Sequence, residues 1–179
     1  MLAAEDTILV IIDIQEKLTA AMHEKEALVE NAVKMVKGAQ ILGLPILHTE
    51  QNPNGLGRTV PQLGELLKEA QPFSKLTFSC CGERPFVGEL EKLGRHQILI
   101  GGIESHVCVY QSVVDLMDLG YEVEVITDMV SSRTRENKQI GLAKCEAYGA
   151  YLTSVETALF ELLQVAEGDK FKQMLKVVK

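Results

Sequence analysis

The amino-acid sequence predicts an α/β fold with three layers, α/β/α, around a six-stranded, mostly parallel, Rossmann-like sheet. Three observations carry that expectation. Short apolar runs rich in β-branched residues recur along the chain, amphipathic stretches of helical period lie between them, and the runs end on acids, a lysine or a pair of glycines. Parallel neighbours need crossover connections rather than tight turns, so helices fall on both faces of such a sheet. The 179 residues, 46% of them apolar, fit a single domain over residues 1–179. A chain of that length buries roughly 70% of its unfolded surface and needs no disulfide or metal staple.

Thr7 to Ile12 is a continuous apolar run, as expected of a strand covered on both faces, and it ends at Asp13. Ligands of open α/β sheets bind at the carboxyl ends of the strands, which makes Asp13 a site candidate; an acid just past a strand also serves as a turn former or helix cap. Gln15 either braces the same crevice or faces solvent. From about Glu24 to Leu42 apolar residues recur at helical spacing until Gly43 closes the run, marking an amphipathic helix. Pro45 to Thr49 reads as the second strand, in which His48 is more often a hydrogen-bonded core histidine than a ligand. Glu50 to Gly57, with Gln51 in it, reads as a loop that walls a pocket.

Thr59 to Ala70 supports a short helix with Thr59 as its cap. Phe73 to Leu76 is a brief strand in which Lys75 is either a site residue or a surface charge. The small residues from Thr77 to Gly82 form a loop, and the adjacent Cys80 and Cys81 read as packing, because a vicinal disulfide strains its ring. Glu83 to Leu93 is a helix with Pro85 in its first turn.

Ile98-Leu99-Ile100 is a buried strand that runs into Gly101-Gly102, a turn, and a helix whose apolar face is Val109, Val113, Leu116 and Leu119 up to Gly120. With Ser105 as the N-cap, Cys108 falls in the first helical turn. Unpaired N–H groups and the positive end of the helix dipole there favour thiolate over thiol. Free cysteine is also among the most buried residue types, so a purely structural Cys108 stays open. Glu122 to Asp128 alternates as the fifth strand, and Ser131 to Arg135 is a polar loop into a helix ending near Tyr148. Ala150 to Thr153 is the last strand. Helices from Ser154 to about Ala166 and from Lys170 to Val178 finish the chain.

Charge and composition weigh against several classes of function. At a net charge of −7 the chain offers no electrostatic footprint for nucleic acid or an anionic membrane, and its apolar runs are far too short to span a bilayer. The acidic start, Met1-Leu2-Ala3-Ala4-Glu5-Asp6, lacks the pattern of a secretory signal, so a cytoplasmic location is expected. Cys80, Cys81, Cys108 and Cys145 show neither zinc spacing nor a secreted framework, which fits a reducing compartment. No cofactor and no metal are expected.

Asp13 after the first strand, Lys75 in the third and Cys108 after the fourth line up in an order that resembles the isochorismatase-like cysteine hydrolases. The resemblance runs through Ile8-Leu9-Val10-Ile11-Ile12-Asp13-Ile14-Gln15, Lys75 with Phe78-Ser79, and Gly102-Ile103-Glu104-Ser105-His106-Val107-Cys108-Val109. It implies a catalytic triad of Asp13, Lys75 and Cys108, and a cis peptide at Ile103–Glu104. It also implies an oxyanion hole made by the N–H groups of Glu104 and Cys108. The implied chemistry is attack of the Cys108 sulfur on a small amide or related C–N bond, with Asp13 as general base and acid and Lys75 as electrostatic orienter. Isochorismatases proper lack the cysteine, and nicotinamidases carry a metal-binding carboxylate with histidines where this chain has Thr49-Glu50-Gln51-Asn52. The Glu104-Ser105-His106-Val107 stretch and the Glu50-to-Gly57 loop look most like a subgroup without an agreed substrate, and the family resemblance implies a small-molecule ligand and a homo-oligomer. Gln15, Gln51, Phe78 and His106 are the further pocket candidates; His106 either tunes the thiolate or bonds nearby backbone. A non-catalytic oligomeric scaffold and, behind it, a nuclease are the rival readings.

Overall fold

A computed structural model describes every residue from Met1 to Lys179. Its six strands lie in the order β3-β2-β1-β4-β5-β6, and every neighbouring pair is parallel. They are β1 (Thr7–Ile12), β2 (Ile46–Gln51), β3 (Phe73–Lys75), β4 (Gln97–Ile103), β5 (Glu122–Ser131) and β6 (Tyr151–Thr153). β1 is buried along its whole length, as its unbroken apolar run requires, with β2 on one side and β4 on the other. The chain moves outward from β1 in one direction through β3 and then returns to start again at β4. The crevice between the carboxyl ends of β1 and β4 is therefore a topological switch point, where this class of sheet binds its ligands.

The helices are α1 (Glu16–Thr19), α2 (Lys25–Leu42), α3 (Pro53–Leu56), α4 (Pro61–Gly64), α5 (Arg84–Leu93), α6 (Tyr110–Asp118), α7 (Arg135–Tyr148), α8 (Val155–Leu163) and α9 (Gly168–Val178). Two apolar cores separate at the sheet. One joins Leu9 and Ile11 of β1 to Met35 and Val36 of α2, Leu159 of α8 and Met174 of α9. The other joins Ile8, Val10 and Ile12 to Phe86 and Leu90 of α5, Val113 and Leu116 of α6 and Cys145 of α7. Alternate residues of one strand thus feed opposite cores, the period-two rule applied to a strand covered on both faces. No helix is long and apolar enough to cross a membrane.

The structure revises several local expectations. The helix expected over residues 59–70 shrinks to α4, because Thr59 does not cap it: its hydroxyl donates instead to Glu50 Oε1 at 2.9 Å. β5 runs past Asp128 to Ser131 through a register shift opposite Ile100 to Gly102, and such bulges re-aim the residues beyond them. Asp128 itself accepts from the Val155 N–H at 2.9 Å, at the start of α8. Leu119 is 52% exposed and does not extend the apolar face of α6.

Gly102 is where the switch point closes. Its φ of 132° lies outside the range that L side chains adopt comfortably, and a Cβ there would collide with the Ile12 carbonyl. Gly102→Ala is expected to cost about 3 kcal/mol or more in urea unfolding. Gly88→Ala, in α5 with nothing within 4 Å of the added methyl, is expected to gain about 0.5–1 kcal/mol.

Candidate active site

The carboxyl ends of β1, β2 and β3 place three side chains against one another. Asp13 follows β1 with a φ of 51°, a left-handed conformation that Asp tolerates better than most residues and that turns the chain sharply out of the strand. Lys75 ends β3, and its Nζ lies 2.6 Å from Asp13 Oδ2, with both side chains 0% exposed. Gln51 ends β2 and accepts from Lys75 Nζ through Oε1 at 2.6 Å. The carbonyls of Phe78 and Thr77 accept from the same nitrogen at 2.9 and 3.3 Å. An ammonium has three protons to give, so these oxygens and Asp13 leave Lys75 neither a free donor nor room to turn away. The other Asp13 oxygen, Oδ1, accepts from Thr49 Oγ1 at 2.7 Å.

Gln15, fully buried, clamps the loop after β2. Its Nε2 donates to the carbonyls of Gln51 at 3.0 Å and Gly57 at 2.7 Å, and its Oε1 accepts from the Gln51 N–H at 2.7 Å. Gln15 therefore braces the crevice rather than facing solvent. Phe78 contributes its carbonyl, while its ring is 54% exposed at the rim.

Cys108 reaches the same place from β4. After Gly102 the Ile103–Glu104 peptide bond is cis, and Ser105–Val109 winds as a π-helical turn into α6. Gly141 of α7 sits under this turn: a Cβ there would come within 2.6 Å of the Ser105 carbonyl carbon and 2.7 Å of the His106 nitrogen. Ser105 is not the cap, since Glu104 holds that position without a side-chain bond. The Ser105 hydroxyl instead pairs with Ser132 Oγ at 2.6 Å, and His106 Nδ1 meets the same Ser132 oxygen at 2.9 Å. Arg133 Nε donates to Glu104 Oε1 at 2.9 Å. The end of β5 thus holds the turn through side chains at 104, 105 and 106.

The electrostatics of Cys108 correct the expectation of a resting thiolate. Burial first, and the Asp13 carboxylate second, push the thiol up to about 12; Lys75 and the Glu104 N–H pull the other way but do not win. The helix start is outweighed because Cys108 is only 7% exposed and its thiol faces an anion. The proton stays on sulfur until a base takes it.

The two faces of β2 do different work. Thr49 and Gln51 point to Asp13 and Lys75, whereas His48 and Glu50 point away from them. Burial raises the Glu50 carboxyl, yet the Thr59 N–H, Arg58 and the Thr59 hydroxyl together hold it below its usual range. His48 is buried as expected but is not hydrogen-bonded at Nδ1. Burial lowers its pKa from 6.5, partly offset by Glu50. Thr49, Ser132 and Gly141 are site residues that the motif reading missed. Thr49 was within reach, lying two residues before Gln51 and so on the same face of a strand. Tyr110, the first residue of α6, lies under Lys144, whose Nζ is 4.1 Å from the ring centre.

Residues 7–157 match the isochorismatase domain family. A secreted isochorismatase effector, Isc1, of Phytophthora sojae is 34% identical over 99% of this chain and 87% of its own. The structure of the MAR1 ribonuclease from Caenorhabditis elegans is 34% identical and superposes with a TM-score of 0.93 over 99% of this chain and 91% of that one. The YcaC gene product of Escherichia coli, an octameric hydrolase of unknown specificity, shares the fold with a TM-score of 0.93 at 20% identity, over 98% of this chain and 88% of that one.

Two outcomes follow for stability. Lys75→Met leaves the Asp13 carboxylate buried and uncompensated, so a loss of about 3–5 kcal/mol is expected in urea unfolding, most of it recovered in the Lys75→Met/Asp13→Asn double variant. Because the folded pKa of His48 lies below its unfolded value, unfolded chains take the proton first. Its contribution is fully present above about pH 6.5 and lost as pH falls below that value. His48→Gln is therefore expected to flatten the decline of the urea midpoint between about pH 7.5 and 5.5.

Proposed function

The chain belongs to the isochorismatase family, and from that premise we propose that it is a cysteine-dependent hydrolase of a small amide or related C–N bond. The observation that carries the reading is the sealed Lys75–Asp13 pair, 2.6 Å apart, acting on the Cys108 thiol at the switch point of the sheet. Cys108 is the nucleophile, Asp13 the general base and acid, and Lys75 the electrostatic orienter.

The proton inventory supports those roles. The three groups hold one fixed ammonium, one negative charge and one mobile proton. Moving the proton from the Cys108 sulfur to Asp13 moves the negative charge the other way, beside the same Lys75. The net charge of the buried cluster does not change, which avoids the large penalty of isolating a charge away from water. The thiolate then attacks the substrate carbonyl, and the N–H groups of Glu104 and Cys108 are the donors for the oxyanion, each contributing on the order of 3 kcal/mol. Asp13 protonates the departing amine. Water, deprotonated by Asp13, opens the thioester, releasing a carboxylic acid and restoring the thiol.

A second reading, ribonuclease activity, is favoured by the name of the C. elegans neighbour, while the net charge of −7 weighs against a phosphate-binding surface. The proposal places the protein in the cytoplasm, on its cysteine spacing, although the Phytophthora relative is named as secreted. It also includes self-association, in line with the octameric E. coli neighbour. Light scattering is expected to give a mass several times 19.7 kDa.

A panel of small primary amides, isochorismate and single-stranded RNA tests the chemistry. The expected result is ammonia release from at least one amide, a transient acyl adduct on Cys108 by mass spectrometry, and a loss of at least about 10³-fold in Cys108→Ala. RNA cleavage that survives Cys108→Ala would establish the ribonuclease reading instead. Absence of turnover on any substrate, with Cys108 unacylated, would favour the scaffold.

A further inference from the structure

A second sulfur site lies on the other side of the loop that holds Lys75. Cys80 and Cys81 form a short 3-10 turn with Gly82 ahead of α5, and both are free thiols. Cys80 is fully buried, and its N–H donates to Ser112 Oγ of α6 at 3.0 Å. Cys81 is partly exposed, its N–H bound to Ser79 Oγ at 3.2 Å. It opens into a groove of about 570 Å³ between α5 and α6, bordered by Arg84 and Glu91 on one wall and Asp115 and Asp118 on the other. Arg84 makes no ion pair within the chain.

We propose that Cys81 is a thiol-exchange site for small zwitterionic disulfides of the amino-acid or peptide type, with the ligand carboxylate on Arg84 and its ammonium towards Asp115. The Cys81 thiolate attacks one sulfur of the disulfide. A new bond forms between Cys81 and that sulfur, the original S–S bond breaks, and the other half leaves as a thiolate that takes a proton from solvent. No further oxidant is needed, because the disulfide supplies both electron acceptors.

Two features single out Cys81 among the four cysteines: it is partly exposed in an open groove while Cys80, Cys108 and Cys145 are buried, and the groove offers the unpaired Arg84 for a carboxylate. The neighbouring Cys80 and Ser79 hold the Cys81 thiol below its ordinary value despite burial and Asp115. Burial instead pushes Cys145 up to about 11 and Cys108 to about 12. The adduct would also sit on the segment whose Thr77 and Phe78 carbonyls accept from Lys75, which ties occupancy of the groove to the footing of that ammonium.

The test treats the folded protein with oxidised glutathione at pH 7 and maps adducts by mass spectrometry over time. The expected result is a mixed disulfide on Cys81, with Cys108 and Cys145 at least about 10-fold slower. Arg84→Gln is expected to slow the reaction several-fold with oxidised glutathione but not with cystamine, which has no carboxylate. Cys80→Ala is expected to slow both reagents, and Cys80→Ser, which keeps a donor, to restore the rate. A first adduct on Cys108 or Cys145 overturns the proposal. So does a Cys81 rate indifferent to Arg84→Gln, an exposed-helix change that keeps the test available if Cys80→Ala does not fold.

Discussion

A lysine ammonium and an aspartate carboxylate, 2.6 Å apart and wholly shut off from water, set the terms for the rest of this structure. Neither charge survives alone in such a place, so each must be paired. Satisfying Lys75 fixes the end of β2 through Gln51 and the loop after β3 through Thr77 and Phe78. Satisfying Asp13 fixes the register of β1 against β2 through Thr49, since Ile11 must pair with His48 for Thr49 to reach across. Gln15 then stitches the loop after β2 to the start of the next segment. A cluster this constrained is a costly way to hold a fold together and an effective way to hold a carboxylate in one fixed position.

The Cys108 side of the site rests on shape rather than charge. Gly102 lets β4 pass the end of β1, and Gly141 lets α7 lie against the turn that carries Cys108. Both are positions where a single methyl group would meet backbone. The Ser105–Ser132–His106 chain and the Arg133–Glu104 pair fasten the same turn to the end of β5. Charge fixes one half of the site and close packing the other, and the two halves meet at the sulfur.

Sequence reasoning reached the parts of this design that follow from local rules. The unbroken run of β1 announced a strand buried on both faces. The glycine pair after Ile100 announced the end of a strand and a turn beyond it, with β4 running one residue past the pair to Ile103, and the order Asp13, Lys75, Cys108 pointed to the family. What it missed depends on distant partners. Thr59 is a plausible cap until Glu50 claims its hydroxyl, and Ser105 likewise until β5 brings Ser132 beside it. The thiolate expectation failed for the same reason: helix position is visible in sequence, whereas the burial and the facing carboxylate that raise Cys108 are not. Gly141 carries no motif at all, and only the approach of α7 gives it a role.

In the proposed reaction Asp13 takes the proton of Cys108 and, until it does so, keeps that thiol protonated. The most direct measurement is the pH dependence of Cys108 alkylation by a small neutral reagent in wild type and Asp13→Asn, read site by site by mass spectrometry. With the carboxylate gone, Lys75 acts on the sulfur unopposed. The account therefore predicts an apparent Cys108 pKa near 12 in wild type and a clearly lower one in the variant, with faster alkylation at pH 8 despite the loss of the base. An unchanged or higher pKa in Asp13→Asn would contradict it, because Asp13 would then not be the group that governs the Cys108 proton.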